Sequence, residues 1–191
     1  MKKGDGNMSK AIVIYTSKRG STRQYAEWIA EDLECEAVSF DDPRIKDINL
    51  YLYDCIIYGG WIRGSGIVDF DKFGKMLDRE LMQRLIVFGV GMADETADNY
   101  AQVWGYSIGK LDPKNENRTI LYILGGRYDP ENVKGMDRFL MKIMRTVLLS
   151  GSTPEAKGRA NFMKDRIDNG IDMVYRDNII SLVKDARRKL Q

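Results

Sequence analysis

With 191 residues, 43% of them apolar and 30% charged, the chain can bury one sizeable core and has the balance of an ordinary globular protein. Its net charge of +2 is too small to argue for a nucleic-acid partner, which needs a clustered basic face. Histidine is absent. That removes the commonest general base and the commonest metal ligand, and no metal site is expected.

Residues 1–9 carry lysines without an apolar run behind them. They read as a disordered lead-in rather than a signal peptide, with residues 10–191 as a single domain. Lys10–Thr16 is short, β-branched and bounded by turn residues, which predicts a buried strand. Residues 22–33 follow as a helix with Tyr25, Trp28, Ile29 and Leu33 on one face, and Ser21-Thr22-Arg23-Gln24 fits a capping box at its start. Glu36–Phe40 is a second strand, and Tyr53–Gly60 a third that ends in glycines. Asp69–Leu81 reads as a helix, Arg84–Gly91 as a fourth strand, Thr96–Leu111 as a helix and Thr119–Gly126 as a fifth strand. Asp129-Pro130 then opens a helix, Asp as N-cap and Pro at the first position, that runs to about Leu149. Residues 150–171 show no clear element, and Tyr175–Leu190 is helical. The two cysteines, Cys35 and Cys55, stand apart in apolar segments and read as buried thiols of a reducing, cytoplasmic compartment. No uncharged apolar run of about 18 residues is present, so no membrane-spanning helix is expected.

Nearly continuous apolar strands alternating with helices predict an α/β fold of three layers, a doubly wound parallel sheet covered on both faces. Ligands of such folds bind at the carboxyl ends of the strands, which makes the loops after the first, third, fourth and fifth strands informative. The first, Thr16–Thr22, combines Ser17, Ser21 and Thr22 hydroxyls, the cations Lys18 and Arg19, and Gly20 at the entrance to a helix. That is the chemistry of a phosphate cradle, although a ligand-free turn has the same pattern. It is neither a Walker A loop nor the GxGxxG of dinucleotide sites. The second, residues 58–67, offers Gly59 and Gly60 for close approach to something flat. Trp61 follows, either as a stacking surface or as a plug packed on its own loop, and then Ile62 and Arg63. The third, residues 88–100, places Gly91, Met92, Ala93 and Asp94 before a helix. Met92 suits an aromatic ligand, and Asp94 suits a helix cap. A planar heterocycle with one phosphate fits these loops better than a dinucleotide does.

At these residues the chain resembles the flavodoxin-like family of FMN proteins. Their phosphate loop follows T-x-T-G-x-T, and Ser17, Arg19, Gly20 and Thr22 stand at the matching positions. Arg19 replaces the middle Thr. The resemblance implies a five-stranded sheet in the order 2-1-3-4-5, with FMN as cofactor held by Ser17–Thr22, Gly59–Arg63 and Gly91–Asp94. The run GGRYDPENVKGMDRFLMKIM, residues 125–144, is similar to the menaquinone-dependent protoporphyrinogen dehydrogenases of this fold. It departs from them in the length of 152–171 and in Asp177-Asn178 where Asp-Trp often begins the last helix.

Two functions follow as expectations. One is an FMN oxidoreductase acting on protoporphyrinogen with a quinone as acceptor. The other is a small electron-transfer flavodoxin that docks to redox proteins, for which net +2 is unfavourable because such carriers are usually acidic. No catalytic side chain is assigned. Residues 131–149 are apolar on more than one stripe and carry Lys134, Arg138, Lys142 and Arg145. They read either as a core helix or as a basic face meeting an anionic membrane surface or an apolar substrate.

Overall fold

The computed structural model describes residues 10–93, 96–135, 138–139, 141–143, 146 and 163–191. Five parallel strands form one sheet: β1 (Ala11–Thr16), β2 (Glu36–Ser39), β3 (Cys55–Arg63), β5 (Leu85–Gly91) and β6 (Ile120–Gly125), in the order β2-β1-β3-β5-β6. A short antiparallel strand, β4 (Gly66–Ile67), folds back on the end of β3. Leaving β4 aside, this is the expected 2-1-3-4-5 order.

Strand alternation divides the core in two. Ile12, Ile14, Ile56, Tyr58, Leu85 and Val87 face one side, with Phe70, Phe73, Val103 and Ile108 packed on them. Val13, Ile57, Ile86 and Phe88 face the other, against Tyr25, Ile29, Leu182 and Val183. The second side is covered by α1 (Ser21–Asp32) and the last helix, α6 (Ile180–Lys189). The first side is covered by α2 (Phe70–Gly74), α3 (Arg79–Gln83), α4 (Ala97–Tyr106) and α5 (Ile108–Leu111). This is the three-layer arrangement.

Two expected helices are each split. Over 69–81, Gly74 lies so close to Leu111 that a Cβ would stand 2.4 Å from Leu111 Cδ1. Asp78 starts α3 afresh by accepting the Leu81 amide at 2.9 Å. Over 96–111, Ser107 leaves the helical region (φ −121°, ψ −92°), and its buried Oγ accepts the Ile67 amide at 3.0 Å. A tertiary hydrogen bond to β4 outweighs local helix continuity there. The capping box does not form either. The N-cap of α1 is Gly20, and no side chain caps this helix.

Asp129 accepts the Glu131 amide at 2.9 Å, but residues 130–132 form a turn, so Pro130 does not open a helix. The described residues from 135 to 146 are helical; the rest of the expected 131–149 helix lies outside the described residues, as do 1–9 and 147–162. Where no element was expected over 150–171, residues 163–169 are helical. Ile171–Asp172 form β8, which pairs antiparallel with β7 (Arg127–Tyr128). Among the described residues no helix is long and apolar enough to cross a membrane.

Packing requires glycine at both Gly59 and Gly60. A Cβ on Gly59 would stand 2.0 Å from the ring of Phe88, and one on Gly60 would stand 2.6 Å from Ile67 and 2.9 Å from the Val68 carbonyl. Because Phe88 is fully buried, Gly59→Ala should lower stability by about 1–3 kcal/mol through overpacking. Gly105→Ala, in α4 with nothing within 4 Å, should raise it by about 0.5–1 kcal/mol. Urea midpoints of the two variants check both signs.

Cys55 is fully buried, whereas Cys35 is only half-buried, short of the expected pair of buried thiols. Burial pushes Cys35 up to about 11 and Cys55 up to about 12, from 9.0. Below pH 9 both thiols are protonated in folded and unfolded chains alike, and the neutral, buried state costs nothing. Above it the unfolded chain ionises first, so stability falls toward pH 12, for Cys55 by up to about 1.4 kcal/mol per pH unit. Cys55→Ala should flatten that alkaline slope in urea titrations; an unchanged slope would remove Cys55 as its source.

Candidate functional site

Toward the carboxyl ends of the strands, Thr16 pairs with Gly60, Gly60 with Gly89, and Gly91 with Gly125. The loop after β1 turns into α1 through Gly20, whose φ of +92° is open to glycine and strained for other residues. Its carbonyl accepts the Gln24 amide at 2.8 Å. The first-turn amides of α1 have no carbonyl ahead of them within the helix, no side chain caps them, and no acidic residue lies in that turn. A 12-residue helix therefore presents its partial positive charge at the loop.

The hydroxyls of this loop differ sharply. Thr16 is buried and donates to the Tyr58 hydroxyl at 3.2 Å, which itself donates to the Val68 carbonyl at 2.9 Å. Ser21 Oγ accepts the Arg127 amide at 3.2 Å. Thr22 is 2% exposed. Ser17 Oγ is buried without any hydrogen-bond partner. Such an atom costs about 1–3 kcal/mol unless something else meets it.

Lys18 and Arg19, neighbours in sequence and both exposed, lean toward different aromatic rings. Lys18 Nζ lies 5.7 Å from the Trp61 ring centroid, and Arg19 Cζ lies 5.5 Å from that of Tyr128. Trp61 is not on a loop. β3 continues through the glycines to Arg63, and Trp61 pairs with Val90, half-buried. The neighbouring Ile62 packs over Gly89 and Gly91, where a Cβ would stand 3.0 and 3.2 Å from it. Arg63 is exposed at the hairpin. Trp61 and the loop after β1 are thus brought together, whereas Gly59, Gly60 and Ile62 are occupied by the protein's own packing.

After β5, Met92 is half-buried and Ala93 exposed; Asp94 lies outside the described residues. The cap of α4 is Thr96, which accepts the Asn99 amide at 3.2 Å. The Met92 carbonyl accepts a hydrogen bond from Arg166, a buried arginine in the helical residues 163–169. Sequence reasoning passed over Arg166 because its segment showed no usable periodicity.

The β7–β8 ribbon stands against the loop after β1, with the Arg127 amide on Ser21 and the Tyr128 ring under Arg19. Arg127 Nε donates to Asp172 Oδ2 at 2.7 Å. Tyr128 is 4% exposed; burial pushes its phenol up, and the charges of Arg19 and Arg138 pull it back. Among the described residues no cluster of three or more His, Cys, Asp or Glu side chains could hold a metal ion. A cleft of about 450 Å³ lined by Met82, Leu111, Asp112 and Asn117 lies elsewhere, at the amino ends of β5 and β6.

A doubly wound sheet with an uncapped helix terminus and an indole beside it is an arrangement that suits a phosphate-bearing ligand. The family described as a flavodoxin domain matches residues 12–153, and the chain belongs to that family. Among solved structures, a flavodoxin, WrbA-like protein from Agrobacterium tumefaciens is 15% identical over 84% of this chain and 96% of its own, with a TM-score of 0.44. The Trp repressor binding protein of Bacillus subtilis is 16% identical over 69% and 90%, with a TM-score of 0.45. A flavodoxin from the domain Archaea is 16% identical over 83% and 99%, with a TM-score of 0.41. No curated protein matches. The flavin of a flavodoxin domain is FMN, and the unpartnered Ser17 hydroxyl, the left-handed Gly20 and the uncapped turn fit its phosphate.

The same geometry predicts that inorganic phosphate stabilises the flavin-free protein. Tm should rise with phosphate concentration beyond the effect of chloride at equal ionic strength, as binding to the folded state alone requires. Ser17→Ala should reduce that rise. Equal effects of the two salts would remove the loop as an anion site.

Proposed function

We propose that the chain is an FMN-dependent oxidoreductase in which the Ser17–Thr22 loop holds the flavin phosphate and Trp61 stands beside the flavin ring. The observation that carries this is the buried Ser17 Oγ without a partner, next to an uncapped α1 and a left-handed Gly20. Ser17 and Thr22 would donate to phosphate oxygens, the first-turn amides would add directed donors, and Lys18 and Arg19 would offset its charge. Gly91, Met92 and Ala93 would border the ring on the β5 side. FMN bound there would supply the electron and hydride transfer, which the protein positions and tunes.

The finer reading is a dehydrogenase acting on a reduced, apolar and anionic ring such as protoporphyrinogen, with a quinone as acceptor. The residues 125–144 support it by their resemblance to that branch. In the described part of the helix after β7, Phe139 (59% exposed) and Ile143 (44% exposed) stand beside the exposed Arg138 and Lys142. Apolar and basic groups side by side suit such a substrate, or an anionic membrane surface against which it would be delivered.

Purified protein should take up FMN non-covalently, with flavin fluorescence quenched and partly recovered in Trp61→Ala. Thr22→Ala should weaken FMN by roughly ten- to a hundred-fold, the value of a hydrogen bond to a charged group, and Gly20→Val should do at least as much by blocking the turn. A folded protein that ignores FMN, or variants with unchanged affinity, would sink the assignment of the loop. Oxidation of protoporphyrinogen coupled to reduction of a menaquinone analogue tests the finer reading; no turnover by flavin-loaded protein removes it.

A further inference from the structure

Lys18 and Arg19 sit at the mouth of one loop yet rest on opposite walls, Lys18 on Trp61 of β3 and Arg19 on Tyr128 of β7. The two walls differ in rigidity. Trp61 is half-buried at the end of a strand. Tyr128 is nearly inaccessible and held from several directions. Its backbone pairs with Ile171 in β8. The preceding residue donates its amide to Ser21 Oγ at 3.2 Å, and its guanidinium pairs with Asp172 at 2.7 Å. Gly170, left-handed at φ +80°, lets the chain pass so close that a Cβ there would stand 2.9 Å from the Tyr128 carbonyl. The Tyr128 ring is thus a fixed floor tied to the first residue of α1.

Arginine suits such a place better than lysine. Its flat guanidinium stacks on an aromatic face and still presents a fork of donors that matches phosphate. A long side chain already ordered on a ring loses less conformational freedom when it meets an anion.

We infer that Tyr128 is a positioning residue: it holds the Arg19 guanidinium at the rim of the Ser17–Thr22 loop, so that the cation meets the flavin phosphate and the chain selects phosphorylated over unphosphorylated flavin. This rests on the FMN reading and adds the β7–β8 ribbon, formed by sequence more than a hundred residues from the loop, to the machinery of cofactor choice. It also gives Arg19 a role of its own, where the family pattern has a neutral Thr.

The test compares FMN with riboflavin, which lacks the phosphate, by flavin-fluorescence titration of the full chain. Arg19→Ala, an exposed position expected to fold, should weaken FMN roughly ten- to a hundred-fold and leave riboflavin unchanged. Tyr128→Ala should weaken FMN about two- to five-fold, the fold-change of an exposed cation–π contact, again without touching riboflavin. Tyr128→Phe keeps the ring and should behave as the parent. In the Arg19→Ala background, Tyr128→Ala should have no further effect on FMN. The inference is overturned if Tyr128→Ala weakens both flavins alike, if it leaves the FMN-to-riboflavin ratio unchanged, if Tyr128→Phe fails to preserve that ratio, or if the two alanine effects add. Parent protein that binds neither flavin would overturn the cofactor reading itself, and this inference with it.

Discussion

The Tyr25 hydroxyl ties together parts of the chain that sequence keeps far apart. Tyr25 lies fully buried on α1, and its hydroxyl donates to the Gly125 carbonyl at the end of β6, 2.8 Å away. Asn178 Nδ2 donates to the Tyr25 hydroxyl oxygen at 2.7 Å and to the Met173 carbonyl at 2.9 Å. Burial pushes the Tyr25 phenol up, which keeps it a neutral donor. One buried oxygen therefore ties α1, whose amino end carries the Ser17–Thr22 loop, to the end of β6 and to Met173, the residue after β8. A phenol buried here without these partners would cost about as much as several such bonds return. The arrangement holds as a unit.

Placement of charge follows from that framework. The protein is nearly neutral, yet the rim of one loop gathers Lys18 and Arg19 at an uncapped helix terminus, where a partial positive charge already stands. Each cation rests on a different aromatic face, Lys18 on Trp61 and Arg19 on Tyr128.

The glycines at the strand ends show how a shared signal arises from different causes. Gly20 is needed for its backbone angle, since a Cβ there would meet nothing within 4 Å. Gly59 and Gly60 are needed because Phe88, Ile67 and Val68 fill the space a side chain would take. In sequence all three look like room for a ligand. Of the three, only Gly20 is required by its backbone angle, at the turn into α1.

Local sequence was enough for the parallel sheet, its covering on both faces and the loop of Ser17–Thr22. Each rests on local information: apolar runs of strand length, helical periodicity, and hydroxyls beside a glycine where a strand meets a helix. The break at Ser107, the split at Gly74 and the lost capping box were decided by contacts with Ile67, Leu111 and a left-handed Gly20. The ribbon of Arg127–Tyr128 with Ile171–Asp172, and the reach of Arg166 to Met92, came likewise from pairing across long sequence separations. A two-residue strand has no period to read, and an arginine in a polar segment looks solvated until a carbonyl is found beside it. Which cation meets which ring is a matter of where two distant walls stand, and only the packed chain sets that distance.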